Sequence, residues 1–258
     1  MIPKIIHHVW LSGEKYSPEI ETCLKSWEKF LPDFELRLWD MKAVRDIDVD
    51  FLQEAIACKK WAFAADYIRA YALYHYGGIY LDTDVMLYKS LTPLLSHKAF
   101  IGKETSIHFE GRTTSQYLTS HCFGAEKGHP FVRDCLEFYH DRHFELSKNE
   151  HLPPSLRYNY TLMPYIQSEI AKMYGYDDRP SVQVIQECQM DLAIYPSNYF
   201  DAQEKTEDTF CKHLALGAWR DKKSAEPIYN FRYKVEWRVI AMLQRMLGRY
   251  HYMILKTE

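Results

Sequence analysis

The sequence predicts an α/β domain built on an open sheet, and three features predict it. The chain opens strand, helix, strand. A long helical run over residues 61–76 then stops at Gly77-Gly78, and Ile79-Tyr80-Leu81 follow as a uniformly apolar stretch. Strands alternating with helices specify layered α/β architecture, and a strand apolar at every position belongs in the interior of the sheet. At 258 residues, with no Gly/Ser/Pro-rich linker, the chain is read as one domain over 1–258.

The elements follow in order. IIHHVWL (5–11) is a short β-branched run ending in Ser12-Gly13, hence a first strand and a loop. Ser17-Pro18-Glu19 supplies an N-cap, a proline at the first helical position and an early acid, so a helix runs to about Lys29 and ends before Pro32. FELRLW (34–39) alternates as a strand. In the run from Trp61 to Tyr76, Ala62, Ala65, Arg69 and Leu73 fall at helical spacing, and Gly77-Gly78 ends the helix through positive φ. Further strands are expected at 99–104, 120–126, 181–186 and 193–200, with helices over 130–143 and 162–174. The polar segment 145–158, broken by Pro153-Pro154, reads as a long surface loop of the kind that forms lids.

Charge and cysteine content narrow the function classes. With 32 basic and 35 acidic residues the net charge is -3, which does not fit a chain that coats nucleic acid. The six cysteines are scattered, with no CxxC or Cys/His pair at zinc spacing, so reduced thiols in a cytoplasmic protein are expected. The N-terminus does not read as a signal peptide and no stretch approaches the roughly 20 apolar residues of a membrane span. Twenty tyrosines and six tryptophans offer flat faces with polar edges, which suit sugars and nucleobases and equally suit an ordinary core.

The segment GGIYLDTDV (77–85) places Asp82 and Asp84 at the carboxyl end of a buried strand, where open α/β sheets bind ligands. Spacing alone decides nothing, because Asp46-Ile47-Asp48-Val49-Asp50 repeats it. That second run lacks the glycine and glutamate of a calcium loop and reads as a solvated turn. Two carboxylates at i and i+2 leaving a strand can divide their work, one taking a hard divalent cation and the other a ribose. Two other readings stand beside it. The pair can cap the strand, or it can open a haloacid-dehalogenase-type phosphatase with Asp82 as nucleophile and Asp177-Asp178 as the later acids, although Val85-Met86 replaces the usual glycine and threonine.

Taken together, IPKIIHHVWLSG (2–13), AFAADYIRAYALYHYGGIYLDTDV (62–85), HCFGAEKGHP (121–130) and, more faintly, CKHLALGAW (211–219) resemble the glycosyltransferase family 32 enzymes, whose core is similar to that of the clostridial glucosylating toxins. The resemblance implies a GT-A-type, Rossmann-like mixed sheet flanked by helices, with additional C-terminal helices. It also implies a nucleotide-sugar donor, Mn²⁺ or Mg²⁺, and retention of configuration. Position by position it gives Trp10 stacking on the donor base, Asp66 and Arg69 on sugar hydroxyls and phosphate, and Tyr80 on ribose or base. Asp82 would meet ribose and sugar, with Asp84 on the metal; His213 would complete the metal shell and Trp219 would donate to the leaving diphosphate. Core packing of Trp10, an internal ion pair for Asp66 and Arg69, and a structural role for His213 are the plain alternatives. The chain departs from the pattern at Ala65, where relatives carry serine, and at YNYTLMP (158–164), in the region expected to recognise the acceptor.

The expected function is therefore retaining transfer of a hexose, by front-face substitution or by a two-step covalent route. The donor is read as UDP-linked galactose, glucose or N-acetylhexosamine, with GDP-mannose as the alternative. The acceptor is read as a saccharide, free or lipid-linked, in capsule or surface polysaccharide synthesis. A non-catalytic sugar-binding module is the third class. Residues 234–258 form an amphipathic pattern with Arg238, Arg245 and Arg249 on one face. That helix either packs on the domain or docks peripherally on the inner face of the cytoplasmic membrane.

Overall fold

In the computed structural model, which describes residues 1–110 and 113–216, strand β1 (Ile5–Val9) lies between β2 (Glu35–Trp39) and β3 (Gly78–Leu81) and runs parallel to both. Helix α1 (Pro18–Phe30) makes the crossover from β1 to β2; the Ser17 hydroxyl caps it by accepting from the Ile20 amide, and Leu31 ends it. Helix α4 (Trp61–Tyr76) delivers the chain into β3. It ends at Gly77 with φ 69°, and Gly78 follows at φ 116°, where a Cβ would lie 2.6 Å from the Ile5 carbonyl oxygen. Only glycine fits both the dihedral and the space there.

Beyond β3 the sheet continues with β8 (Leu118–Ala125), β5 (Ala99–Lys103), β10 (Leu192–Tyr195) and β9 (Gln186–Cys188), in the order β2-β1-β3-β8-β5-β10-β9. β8 is antiparallel to both β3 and β5, β10 is parallel to β5, and β9 is antiparallel to β10. The predicted class, an α/β mixed sheet flanked by helices, is the one observed. Side chains alternate between two layers. Ile6, Ile79 and Leu81 join Trp27 of α1 and Leu31 in one apolar cluster, while Tyr80 lies under Arg69 of α4. On the α4 side, Phe51 of α3 (Asp50–Ala57) packs against Tyr139 and Phe144. Short helix α2 (Met41–Val44) precedes α3; α5 (Pro130–Glu137) and α7 (Met163–Met173) complete that layer.

Two further pairings lie outside the main sheet. β4 (Val85–Leu87) pairs antiparallel with β11 (Cys211–His213), and β6 (His108–Glu110) pairs with β7 (Thr113–Ser115). Helix α1 secures β4 directly: the Trp27 indole donates to the Val85 carbonyl at 2.7 Å, and the Ser26 hydroxyl accepts from the Leu87 amide at 3.0 Å. The chain divides into two units, the first being Met1–Phe144 with Thr161–Leu216; Glu145–Tyr160 belongs to the second. Within that segment Glu145 bridges Tyr158 and α6 (Pro154–Arg157) forms one turn, so it is less irregular than a plain loop. None of the six cysteines forms a disulfide. No helix among the described residues is long and apolar enough to cross a membrane.

Several segments depart from the expected pattern. The turn expected at 46–50 gives way at Asp50 to α3. The helix expected over 130–143 stops at Glu137, and beyond it Asp141 takes φ 56° while Glu54 accepts from the Phe144 amide. SVQVIQ (181–186) is expected as a strand, but Val184 and Ile185 are exposed and the strand begins only at Gln186. AIYPSNYF (193–200), expected as one strand, is divided: Pro196, with no amide to donate to a ladder, ends β10, and α8 (Ser197–Phe200) follows as a single helical turn. The C-terminal pattern at 234–258 lies outside the described residues.

The two adjacent histidines of β1 make the sheet acid-sensitive. The Trp39 indole donates to His7 Nδ1 at 3.0 Å and His7 Nε2 donates to the Gly77 carbonyl at 2.8 Å, a pattern open only to the neutral ring. His8, on the other face, packs edge-on to Trp27 with no partner for its buried Nδ1. Burial lowers both pKa values to about 4. The unfolded chain protonates these rings below about pH 6.5, so stability is complete above that pH and declines as pH falls towards 4. The expected loss approaches about 3 kcal/mol per imidazole, because each tenfold drop in proton affinity on folding is worth roughly 1.4 kcal/mol. Urea midpoints measured from pH 7.5 down to 4.5 check it, and a flat profile would remove this account.

Candidate functional site

The carboxyl ends of β1 and β3 lie side by side, because the two strands are parallel with His7 opposite Tyr80. Trp10 and Asp82 each follow their strand by one residue. Trp10 extends the β1–β2 ladder through its amide to the Trp39 carbonyl at 3.0 Å. Its indole donates to the Glu14 carbonyl at 2.7 Å and its ring lies 4.7 Å from that of Tyr16, so the loop is tied closed with Trp10 half-buried at its base.

Asp82, Thr83 and Asp84 form the turn from β3 into β4, closed by the Val85 amide on the Asp82 carbonyl at 3.0 Å. Because β11 pairs with β4 so that His213 stands opposite Val85, the His213 ring arrives next to Asp84. His213 Nε2 donates to Asp84 Oδ1 at 3.1 Å and lies 4.0 Å from Asp82 Oδ2. The Leu216 amide donates to Asp84 Oδ2 at 3.0 Å. One ligand atom from each of Asp82, Asp84 and His213 falls within 4.8 Å of the others, and no other such metal-holding cluster occurs among the described residues. Two hard carboxylate oxygens and an imidazole nitrogen, with side-chain exposures of 24%, 14% and 27%, suit Mn²⁺ or Mg²⁺ and leave room for oxygen ligands from a substrate.

The electrostatics bind the three together. Burial pushes Asp84 up, but the His213 hydrogen bond and charge and the Leu216 amide outweigh it and hold the carboxyl below its usual range. For His213 the balance is reversed: burial lowers its pKa, while the Asp84 hydrogen bond and the charges of Asp82 and Asp84 raise it overall.

Behind this cluster, helix α4 places Asp66 and Arg69 on one face at i and i+3. Arg69 NH2 lies 3.1 Å from Asp66 Oδ1 and 3.3 Å from Asp82 Oδ1, and NH1 donates to the Ser120 carbonyl at 2.8 Å. The Tyr80 hydroxyl also donates to Asp82 Oδ1, at 2.7 Å, with the guanidinium 4.7 Å above its ring. Thus Asp82 Oδ1 faces the buried arginine and tyrosine, and Oδ2 faces His213. Burial drives Asp66 up to about 7 against the pull of Arg69, and its carboxylate accepts from the Met163 amide at the start of α7. The Arg69 guanidinium is held charged by Asp82, Tyr80 and Asp66 in spite of its burial.

The structure thus brings together Asp66, Arg69, Tyr80, Asp82, Asp84 and His213, with Trp10 on the same edge of the sheet. Trp219 lies outside the described residues. Asp177 and Asp178, the later acids of the phosphatase reading, do not join the cluster: Asp177 pairs with Arg179 and Asp178 with Lys172. His213 lies on a strand, and β4 and β11, at three residues each, are too short to show periodicity in the sequence. The backbone groups of Ser120 and His121 that hold Arg69 and Asp82 have no signal in side-chain chemistry, since only the β3–β8 register exposes them.

Residues 17–101, which include Asp66, Arg69 and the Asp82-Thr83-Asp84 motif, match the model of the glycosyltransferase sugar-binding region containing DXD motif. Among curated proteins, the inositol phosphoceramide mannosyltransferase 3 of Schizosaccharomyces pombe is 34% identical over 154 residues, covering 55% of this chain and 40% of that protein. The mannosyl phosphorylinositol ceramide synthase SUR1 of Saccharomyces cerevisiae is 31% identical over 144 residues, 53% of this chain and 34% of that one. The chain spans two fifths or less of the length of these relatives. A solved structure, the PaToxG glycosyltransferase, aligns with 67% of this chain and 69% of its own at 16% identity and a TM-score of 0.44.

Proposed function

We propose that the protein is a metal-dependent glycosyltransferase that moves a hexose from a nucleotide sugar to a hydroxyl of a saccharide acceptor. The observation that carries the reading is the convergence of Asp82, Asp84 and His213 within 4.8 Å, beside the buried Asp66–Arg69 pair, with both aspartates inside the matched DXD region. Asp84, His213 and Asp82 Oδ2 would hold Mn²⁺ or Mg²⁺. When bound, the ion neutralises negative charge on the departing nucleoside diphosphate.

The chain's own groups supply the rest. Arg69, fixed by four oxygens (Asp66, Asp82 and the carbonyls of Ala65 and Ser120), holds the Asp82 carboxylate in orientation. Asp66 and Arg69 line the sugar side, Asp82 meets ribose and sugar hydroxyls, and Trp10 offers a flat face for the base. Trp219 would donate its indole N–H to the diphosphate. Each acid gathered here is already engaged by Arg69, Tyr80 or His213, which favours front-face substitution with retention over attack by an enzyme carboxylate.

The donor has two candidates. A UDP-hexose follows from the resemblance to bacterial polysaccharide enzymes, and GDP-mannose is favoured by the names of the mannosyl-transferring relatives. Those names also favour a lipid-borne acceptor hydroxyl, met by a protein bound peripherally to a membrane. A thermal-shift panel of UDP-galactose, UDP-glucose, UDP-N-acetylglucosamine and GDP-mannose, each with and without Mn²⁺, separates the donors. At about 100-fold excess over Kd the matching donor contributes about 2.7 kcal/mol and raises Tm by several degrees only when Mn²⁺ is present. No shift with any of the four would overturn the reading.

A further inference from the structure

We propose that His121, which is not one of the three clustered ligand residues, is the positioning residue that sets the metal affinity of the Asp82–Asp84–His213 cluster by holding the His213 ring in place. The proposal rests on the functional reading above and extends it to a second layer of the site.

Three contacts carry it. The His121 ring lies nearly parallel to that of His213, with centroids 4.5 Å apart and planes 23° apart. The His121 carbonyl accepts from the Asp82 amide at 2.9 Å. His121 Nε2 donates to the Phe200 carbonyl at 3.1 Å, which pins the imidazole from its far edge. The residue is 5% exposed, so neither ring face nor nitrogen is free to turn. One residue of β8 therefore touches two of the three ligand residues, Asp82 through backbone and His213 through side chain. Its neighbour Ser120 holds Arg69 in the same way.

The consequence follows from where His213 sits. It is the last residue of a three-residue strand, and 27% of its side chain is exposed. β11 fixes its backbone, but the imidazole can still rotate about χ1 and χ2. A ring pressed against one of its faces removes most of those rotamers before any ion arrives, so less ordering is required on binding. Partners that orient a metal-binding histidine commonly contribute 10–100-fold in affinity. Here the orientation comes from a flat face, and an aromatic ring of similar size can replace it, whereas an aliphatic or amide side chain cannot.

The test uses the whole chain and Mn²⁺ alone, with bound ion followed by electron paramagnetic resonance and apo stability by urea unfolding. His121→Ala is expected to weaken Mn²⁺ binding at least 10-fold. His121→Phe, which keeps the stacked face and loses the bond to Phe200, is expected to stay within about threefold of the parent. Any general loosening of the core appears in the urea midpoint of both variants, whereas the split in Mn²⁺ affinity between them appears only if the face matters. Parental affinity in His121→Ala, or equal losses in the two variants, overturns the proposal. A parent protein that binds no Mn²⁺ would instead overturn the functional reading, so the two failures are distinguishable.

Discussion

Asp84→Asn is expected to lose at least about 10³-fold in sugar transfer, several kcal/mol of transition-state stabilisation, while remaining folded. The carboxylate accepts from His213 and from the Leu216 amide, and the asparagine carbonyl oxygen can keep one of those bonds, so the turn into β4 survives. What disappears is a hard anionic ligand. Initial rates of donor hydrolysis and of transfer, both measured across a Mn²⁺ titration, check the prediction. Full activity at saturating Mn²⁺ would show that Asp84 carries neither ion nor substrate. Asp82→Asn should behave differently, because Asp82 also faces Arg69 and Tyr80; its expected effect includes weaker donor binding as well as slower turnover.

The second large effect is on stability. Arg69→Met should cost about 3–5 kcal/mol, because removing one partner of a buried ion pair strands the other. Arg69 is 4% exposed and serves two carboxylates and two backbone carbonyls at once. Asp66, already pushed up to about 7 by burial with the guanidinium beside it, would take up a proton in the variant, which softens the loss. The double change Asp66→Asn with Arg69→Met should therefore be less destabilised than the sum of the two single changes. Urea unfolding of the three variants at pH 7.5 measures the coupling, and additive losses would show that the pair is not energetically linked.

How much of this is legible in sequence depends on the range of the interaction responsible. The α4–Gly77-Gly78–β3 passage is fully readable, since helix spacing, positive φ and uniform burial are each local. The placement of Asp82 and Asp84 at the strand end follows from them. Asp66 and Arg69 are readable as a pair because helical spacing puts i and i+3 together, but their sharing of Asp82 is not, because it depends on α4 crossing β3. The strand expected at 181–186 does not form before Gln186 because Val184 and Ile185 are exposed, and β-branched residues favour a strand only where a face of it is buried. The segment 46–50 is readable as a solvated turn as far as Val49, but Asp50 supplies the negative first turn of a helix held by Phe51 and Leu52. His213 can be named from the motif it resembles, while its meeting with Asp84 requires the β4–β11 register.

That register has a consequence for when the protein becomes competent. Asp84 and His213 are separated by 129 positions, and β11 is the last described strand. A ribosome adding about 5–20 residues per second finishes the carboxylates well before it makes the imidazole. A nascent chain can therefore assemble α1, α4 and β3, and even bury the Asp66–Arg69 pair, while its ion-binding corner still lacks one wall. Closing that wall is a single long-range strand pairing, whose entropic cost must be met before any metal can help. The ion-binding corner would thus close only after the strands of the main sheet have been made.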